Sequence, residues 1–330
     1  MKFIKKKKDM SFFDNKDLAS QNIEIILTQK CNMACAHCMR GDATNKEIKP
    51  EVLDALFSKF IYIHALTLGG GEISLTPYLV RLVTQKLKQY GTIVHRIDFT
   101  TNGLYVSDEF LDALSELRDY ILSCENEINL VEPCAGENEE PLIVCFSFDD
   151  FHFEEVVKHG IEDVEDLLRN VGRYAQRFGE KAVECRVACD VDIINDGRAK
   201  NLKTFISKTK QMKPSDNLFP YLIHSNYIFF GGIPSISCDG YVIPVNIPYE
   251  NEKALSFGNI CNESISQIIA RMNTKEVKSD EEYNHSMKKI IEKMIAPNYK
   301  WKRYLKVIGN KKFAYFDFMI KKYANNQPEK

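Results

Sequence analysis

No stretch of this 330-residue chain approaches 18 consecutive apolar residues, which excludes a transmembrane helix. An excess of one charge is missing too. The 44 Lys+Arg stand against 46 Asp+Glu, and a net charge of −2 points away from a nucleic-acid binder and from a polybasic membrane protein. Ten cysteines are too few for this length to make a disulfide-stapled scaffold. The opening MKFIKKKKDM is basic, but no apolar run follows it, so no signal peptide is expected and the thiols are expected to stay reduced in the cytoplasm. What is present is globular: 44% hydrophobic and 27% charged residues exclude a wholly disordered chain. The length fits two domains of about 150 residues, or one barrel-sized domain with an appendage.

Residues 1–21 read as a basic arm, with Lys5 to Lys8 a solvated run. From Ile23 short β-rich runs recur, at Ile23–Leu27, His64–Leu68, Ile93–Phe99, Leu142–Phe148, Val183–Ile193 and Tyr221–Phe230. Amphipathic helical stretches lie between them. Val52, Leu53, Leu56, Phe57 and Phe60 hold one face of the first, and Leu79, Val83 and Leu87 that of the second, which Pro77 introduces. Leu111, Leu114, Leu117 and Ile121 mark the third, with Ser107 as its N-cap. A longer helical stretch runs from Val156 to Phe178, with breaks near Gly160 and Gly172, and another covers Asn201 to Lys210. Strand–helix alternation implies βαβ units and a parallel sheet. Six repeats predict a partial (β/α)6 TIM-like barrel over residues 22–232, with its chemistry at the C-terminal ends of the strands.

After Gly232 the pattern changes. Residues 233–275 read as a small α+β extension: a hairpin turning at Asp239-Gly240, a Gly258-Asn259 turn and a helix over Glu263–Met272. Residues 276–330 are a Lys-rich, aromatic, helical tail.

The sharpest local feature follows the first strand, where Cys31, Cys35 and Cys38 stand in CNMACAHC. Three thiolates within eight residues can wrap one compact metal centre, and thiolates favour iron–sulfur or zinc. A structural zinc needs four ligands, so His37 or a distant group would have to supply the fourth. A [4Fe–4S] cluster held by three cysteines instead leaves one iron open for substrate. Further motifs sit at the ends of later strands: Gly69-Gly70-Gly71-Glu72, then Thr100-Thr101-Asn102-Gly103, then Ser147 and Asp149, two apart and so on one side of a strand. Glycines there let backbone approach a ligand closely, and a carboxylate can receive an ammonium group.

Over residues 22–275 this order of motifs resembles the radical S-adenosylmethionine (radical SAM) superfamily. The resemblance implies that Cys31, Cys35 and Cys38 hold a [4Fe–4S] cluster whose open iron chelates S-adenosylmethionine (SAM), with His37 at the position before the last cysteine. It implies that Gly70, Gly71 and Glu72 contact the methionyl amino group and that the Thr-Asn-Gly turn shapes the pocket floor. Ser147 and Asp149 are implied as SAM contacts, Arg169 as a fork for its carboxylate, and Asn195 as a further contact. It also implies an external one-electron reductant, flavodoxin- or ferredoxin-like. The stretch CDGYVIPVN followed by SFGNICNESISQII looks like a SPASM or twitch extension, which normally holds auxiliary clusters, but Val245 stands where that pattern has cysteine. Cys238 and Cys261 alone cannot fill a four-ligand site, so no auxiliary cluster is expected. Cys185 and Cys189 are expected in the core, and the acidic stretch between Cys124 and Cys134 and on to Glu140 as a solvated loop. The extension points to a peptide or protein substrate. A small-molecule or nucleotide substrate is the alternative within the class, and a non-catalytic thiolate–zinc protein the alternative outside it.

Overall fold

A computed structural model describes residues 10–124, 139–147, 149–161, 163–186, 196–202, 218–232 and 234–295. Its centre is a run of five parallel strands: β1 (Asp17–Thr28), β2 (Phe60–Gly70), β3 (Ile93–Thr101), β4 (Leu142–Ser147) and β5 (Val183–Arg186). Each is hydrogen-bonded to the next in sequence order, with Ile23 opposite Leu66, Leu66 opposite Ile97, Ile97 opposite Leu142 and Val144 opposite Val183. Neighbours added in chain order with helices between them form the wall of a barrel, and since β5 does not return to β1 the wall stays open.

Five helices account for the four crossovers. In α1 (Pro50–Phe57) and α2 (Pro77–Tyr90) a proline occupies the first turn, where a missing N–H costs nothing. Gly91, at φ 64°, closes α2 in the left-handed conformation. The Ser107 hydroxyl accepts from the Phe110 N–H (3.1 Å) and caps α3 (Asp108–Ser123). Leu53, Leu56, Val80, Val83, Leu114 and Leu117 are buried between these helices and the sheet. The Val156–Phe178 stretch is two helices, α4 (Asp150–Lys158) and α5 (Val164–Phe178). The break comes at Gly160, as expected, but Gly172 lies inside an unbroken helix.

Three expectations shift, and one falls mostly outside the described residues. First, β1 begins at Asp17, inside the stretch read as an arm, and Phe13 ahead of it is fully buried against Tyr221 and Phe230. The polar run Ser20-Gln21-Asn22 hid this strand, which pairs along both its edges. Second, Tyr221–Phe230 is no sixth wall strand. It forms a hairpin, β6 (Phe219–Ile223) and β7 (Tyr227–Phe230), because the chain turns back at Ser225-Asn226. β7 lies parallel to the start of β1. Third, a 3-10 turn, Gly197–Asn201, stands just before the helix expected at Asn201–Lys210, most of which falls in residues 203–217, outside the described set. Fourth, the boundary at 275/276 falls inside β11 (Thr274–Val277), which pairs with β6.

The extension continues the same sheet. β8 (Pro234–Ile236) lies parallel to the middle of β1, β9 (Tyr241–Pro244) returns from the expected Asp239-Gly240 turn, and β10 (Gly258–Asn259) follows as a short strand rather than a turn. A shorter helix than expected, α6 (Ile265–Ile269), starts at Ser264 with a reciprocal capping box to Gln267. The tail contributes α7 (Asp280–Ile295). Among the described residues no helix is long and apolar enough to cross a membrane.

Candidate metal centre

The three cysteines sit on the loop that leaves the C-terminal end of β1. The chain returns alongside its own exit: the Gln29 N–H donates to the Lys46 carbonyl (2.8 Å), and the Thr44 N–H to the Gln29 carbonyl (3.0 Å). Ile48 N–H closes the base on the Leu27 carbonyl (2.8 Å). Within the loop the Cys38 N–H donates to the Cys35 carbonyl (3.1 Å). All three thiols are free, Cys35 buried and Cys31 and Cys38 half-buried. Burial pushes the Cys31 thiol up to about 11 and the Cys35 thiol to about 12, and the neighbouring sulfurs push Cys35 further. Three cysteines on one short loop, with the ionisation of Cys31 and Cys35 opposed by burial and by neighbouring sulfurs, are a donor set that a bound cation would convert to thiolates. An all-sulfur set of three fits an iron–sulfur cluster with one open position.

The end of β2 docks on the root of this loop. Gly71 N–H donates to the Thr28 carbonyl (2.9 Å) and Glu72 N–H to the Lys30 carbonyl (2.8 Å). A Cβ on Gly70 would stand 2.3 Å from the Thr28 oxygen, and one on Gly71 2.1 Å from the Lys30 oxygen. The glycines therefore serve close backbone approach, between two parts of the chain. The buried Glu72 carboxylate accepts from Ser74 N–H (3.2 Å) and Thr101 Oγ1 (2.9 Å) on one oxygen, and from Asn102 N–H (2.8 Å) on the other. Burial raises its pKa against the pull of those donors. A carboxylate has about four acceptor positions, so three are committed to the protein. Asn102 completes the link, its amide donating to Asn32 inside the cysteine loop (2.8 Å).

Ser147 ends β4, but Asp149 is not its partner on the strand. The chain has already turned, and Asp149 is the N-cap of α4, accepting from the His152 N–H (3.1 Å). Its second oxygen holds His152 Nδ1 at 2.6 Å. Burial would raise the Asp149 pKa, yet the bond and charge of His152 bring it below the usual carboxylate value. His37 lies beside them, stacked on Phe151 (4.7 Å) and edge-on to His152 (4.9 Å), with Nε2 3.9 Å from Asp149. Burial lowers its pKa to about 4, so the ring is a neutral, flat wall next to Cys38.

The other two predicted contacts differ. Arg169 points outward from α5, mostly exposed and paired with Asp166 one turn back (2.8 Å), so the structure does not bring it to the cysteines. Asn195 lies outside the described residues. Sequence reasoning missed Arg198, whose N–H donates to the Cys38 carbonyl (3.0 Å) and whose Nε donates to the Cys35 carbonyl (3.0 Å). A Cβ on the preceding Gly197 would stand 2.4 Å from the Met39 oxygen. The signal was there: Asp196-Gly197, a cap and a left-handed glycine, stands just past the fifth predicted strand. Glu155 was missed too, and its carboxylate accepts from Ala34 N–H in the loop (3.1 Å).

The extension braces the far side. Arg40, two residues past Cys38, donates to Glu24 on β1 (2.7 Å) and to the Ile247 carbonyl (3.1 Å), and Ser235 of β8 also bonds Glu24. Cys238 is fully buried among Ile26, Ile243 and Ile247, its thiol donating to the Ile26 carbonyl (3.1 Å), and burial drives its pKa far up. Cys261 is exposed. Cys134 and Cys189 lie outside the described residues.

Among known families, residues 25–123 match the model described as the Radical SAM superfamily. No curated protein matches at a significant level. Solved structures that resemble the chain include native anSMEcpe with bound AdoMet and Cp18Cys peptide, at 12% identity and a TM-score of 0.40, covering 81% of this chain and 82% of that one. Streptococcus suis SuiB bound to S-adenosylmethionine follows at 9% identity and a TM-score of 0.37, covering 84% and 70%. SuiB bound to precursor peptide SuiA aligns at 9% identity and a TM-score of 0.34, covering 84% and 69%.

Proposed function

We propose a specific reaction for a chain that belongs, through residues 25–123, to the radical SAM superfamily and is an S-adenosylmethionine-dependent iron–sulfur enzyme: it uses the radical derived from SAM to abstract hydrogen from a peptide or protein. The observation that carries this is the loop after β1, which bears three free cysteines and on which the end of β2, the turn after β3 and Glu155 of α4 dock.

Cys31, Cys35 and Cys38 would hold a [4Fe–4S] cluster. Bound there and reduced by an external flavodoxin- or ferredoxin-like donor, such a cluster would supply the electron for reductive cleavage of SAM to methionine and a 5′-deoxyadenosyl radical. The protein's own part is to hold SAM and keep water out. Backbone at Gly70 and Gly71 would line the methionyl end, and Glu72, whose carboxylate holds Ser74, Thr101 and Asn102, would offer its remaining acceptor position to the ammonium. Ser147, with Asn195 from the family pattern, offers polar contacts for the ribose. His37 is a neutral wall for the adenine, set by Phe151. Asp149 acts through His152, holding its Nδ1 and so fixing the orientation of the ring. Arg169 stands away from the site and is dropped from the set.

The peptide or protein substrate rests on the extension at residues 233–275, and the cysteine count supports a single cluster. Anaerobic reconstitution tests both. The expected product is a brown protein with about four irons per chain, whose 5′-deoxyadenosine formation rises when peptides are supplied. A colourless, zinc-loaded protein would overturn the assignment. Stimulation by small metabolites or nucleotides and not by peptides would reassign the substrate alone.

A further inference from the structure

Tyr249 of the extension is held against the cysteine loop. Asn246, the one described non-glycine residue with positive φ (64°), redirects the chain after β9. The segment that follows is tied to Arg40 twice: the Ile247 carbonyl accepts from its guanidinium (3.1 Å), and the Tyr249 N–H donates to its carbonyl (3.0 Å). The tyrosine ring packs on the apolar patch of Ile26, Cys238, Ile243 and Ile247. Its hydroxyl is shut off from solvent and has no hydrogen-bond partner among the described residues. A buried, unpaired hydroxyl costs about 1–3 kcal/mol, and folded proteins rarely leave one.

The surroundings narrow what could accept from it. Arg40 has donors only. The Cys238 thiol is already turned to the Ile26 carbonyl and is a weak acceptor. Burial raises the Tyr249 pKa, and after Arg40 the charges that act on it are the sulfurs of Cys38, Cys238 and Cys31. A sulfur becomes a strong acceptor when it is a metal-bound thiolate or sulfide.

We propose that the Tyr249 hydroxyl donates a hydrogen bond to a sulfur of the cluster held by Cys31, Cys35 and Cys38, and so raises the cluster's reduction potential. The inference rests on the cluster assigned above. Reduction adds negative charge to the cluster sulfurs, so a donated hydrogen bond favours the reduced form. The C-terminal extension, which holds no cluster of its own in this assignment, thereby acts on the electron transfer that starts the reaction.

The test is an EPR-monitored redox titration of the reconstituted full chain, without SAM, for the wild type, Tyr249→Phe and Tyr241→Phe. The last alters a tyrosine on the same apolar patch and is the control. Iron content is measured alongside. Tyr249→Phe is expected to keep its iron and to titrate at lower potential, the ratio of reduced to oxidised cluster at fixed potential falling about tenfold, which for one electron is about 59 mV. Tyr241→Phe is expected to titrate with the wild type. Coincident wild-type and Tyr249→Phe curves, or an equal shift in both variants, would overturn the proposal. So would loss of iron in Tyr249→Phe, which would make the hydroxyl a structural group. A wild type that takes up no cluster would instead overturn the assignment beneath it.

Discussion

Cys35 lies deeper than Cys31 and Cys38, and burial pushes its thiol to about 12, above the value of about 11 for Cys31. Cys35→Ala is expected to leave the chain folded but to abolish stable iron loading, read as iron per chain after desalting. Glu72 carries a different load. Glu72→Leu strands the Ser74 and Asn102 N–H groups and the Thr101 hydroxyl in a dry site, and a loss of about 3 kcal/mol or more in urea unfolding is expected. Glu252 gives a pH signature. It is buried beside Gln29, and burial pushes its carboxyl up to about 7. A folded value above the unfolded one, near 4.3, means the native state holds the extra proton, so stability falls as pH rises from about 4.5 through 7. Thermal midpoints of Glu252→Gln should lose that part of the slope, and an unchanged slope would contradict it. At this scale the sequence showed which atoms are special but not what they touch. Three cysteines in eight residues declare themselves. Glu72 and Asp149 were both legible as carboxylates at strand ends, yet their partners come from β3 and from the first turn of α4.

The elements were legible where one physical signal was strong. Proline at the first turn, serine at an N-cap and leucines at helical spacing placed α1, α2 and α3. Ser107→Ala is expected to cost about 1 kcal/mol through the lost cap, and Leu117→Ala about 2–5 kcal/mol through the buried cavity, both readable in denaturant midpoints. Gly71→Ala tests the docking of β2 on the loop. With a Cβ 2.1 Å from the Lys30 oxygen, the loop must shift, and iron loading should fall while the sheet persists. Elements went unrecognised where long-range pairing decides. The start of β1 is polar in sequence and becomes a strand because β2 and β7 flank it. The β6–β7 run has the composition of one strand and the turn chemistry of two.

Over the whole molecule, one eleven-stranded sheet among the described residues carries both the barrel wall and the extension. The alternation of strands and helices implied the wall. It did not imply that β8, from the extension, would lie directly against β1, because strand order across 200 residues leaves no local trace. That arrangement ties Ile247 and Tyr249 to Arg40 just past Cys38, and Ser235 to the Glu24 that Arg40 also holds, so the extension braces the loop on which the ends of β2 and β3 dock. Asp196-Gly197 marked a turn beside Arg198, but not its role, since the two carbonyls it holds lie about 160 residues earlier. The central claim is that this scaffold exists to cleave SAM at three cysteines, and the most direct measurement is of the products. Reconstituted wild-type protein, reduced with dithionite under anaerobic conditions and given SAM, should form methionine and 5′-deoxyadenosine in equal amounts, and Cys35→Ala should form neither. Wild-type protein that holds its iron and cleaves no SAM, or a Cys35→Ala variant that cleaves it as well as wild type, would contradict that claim.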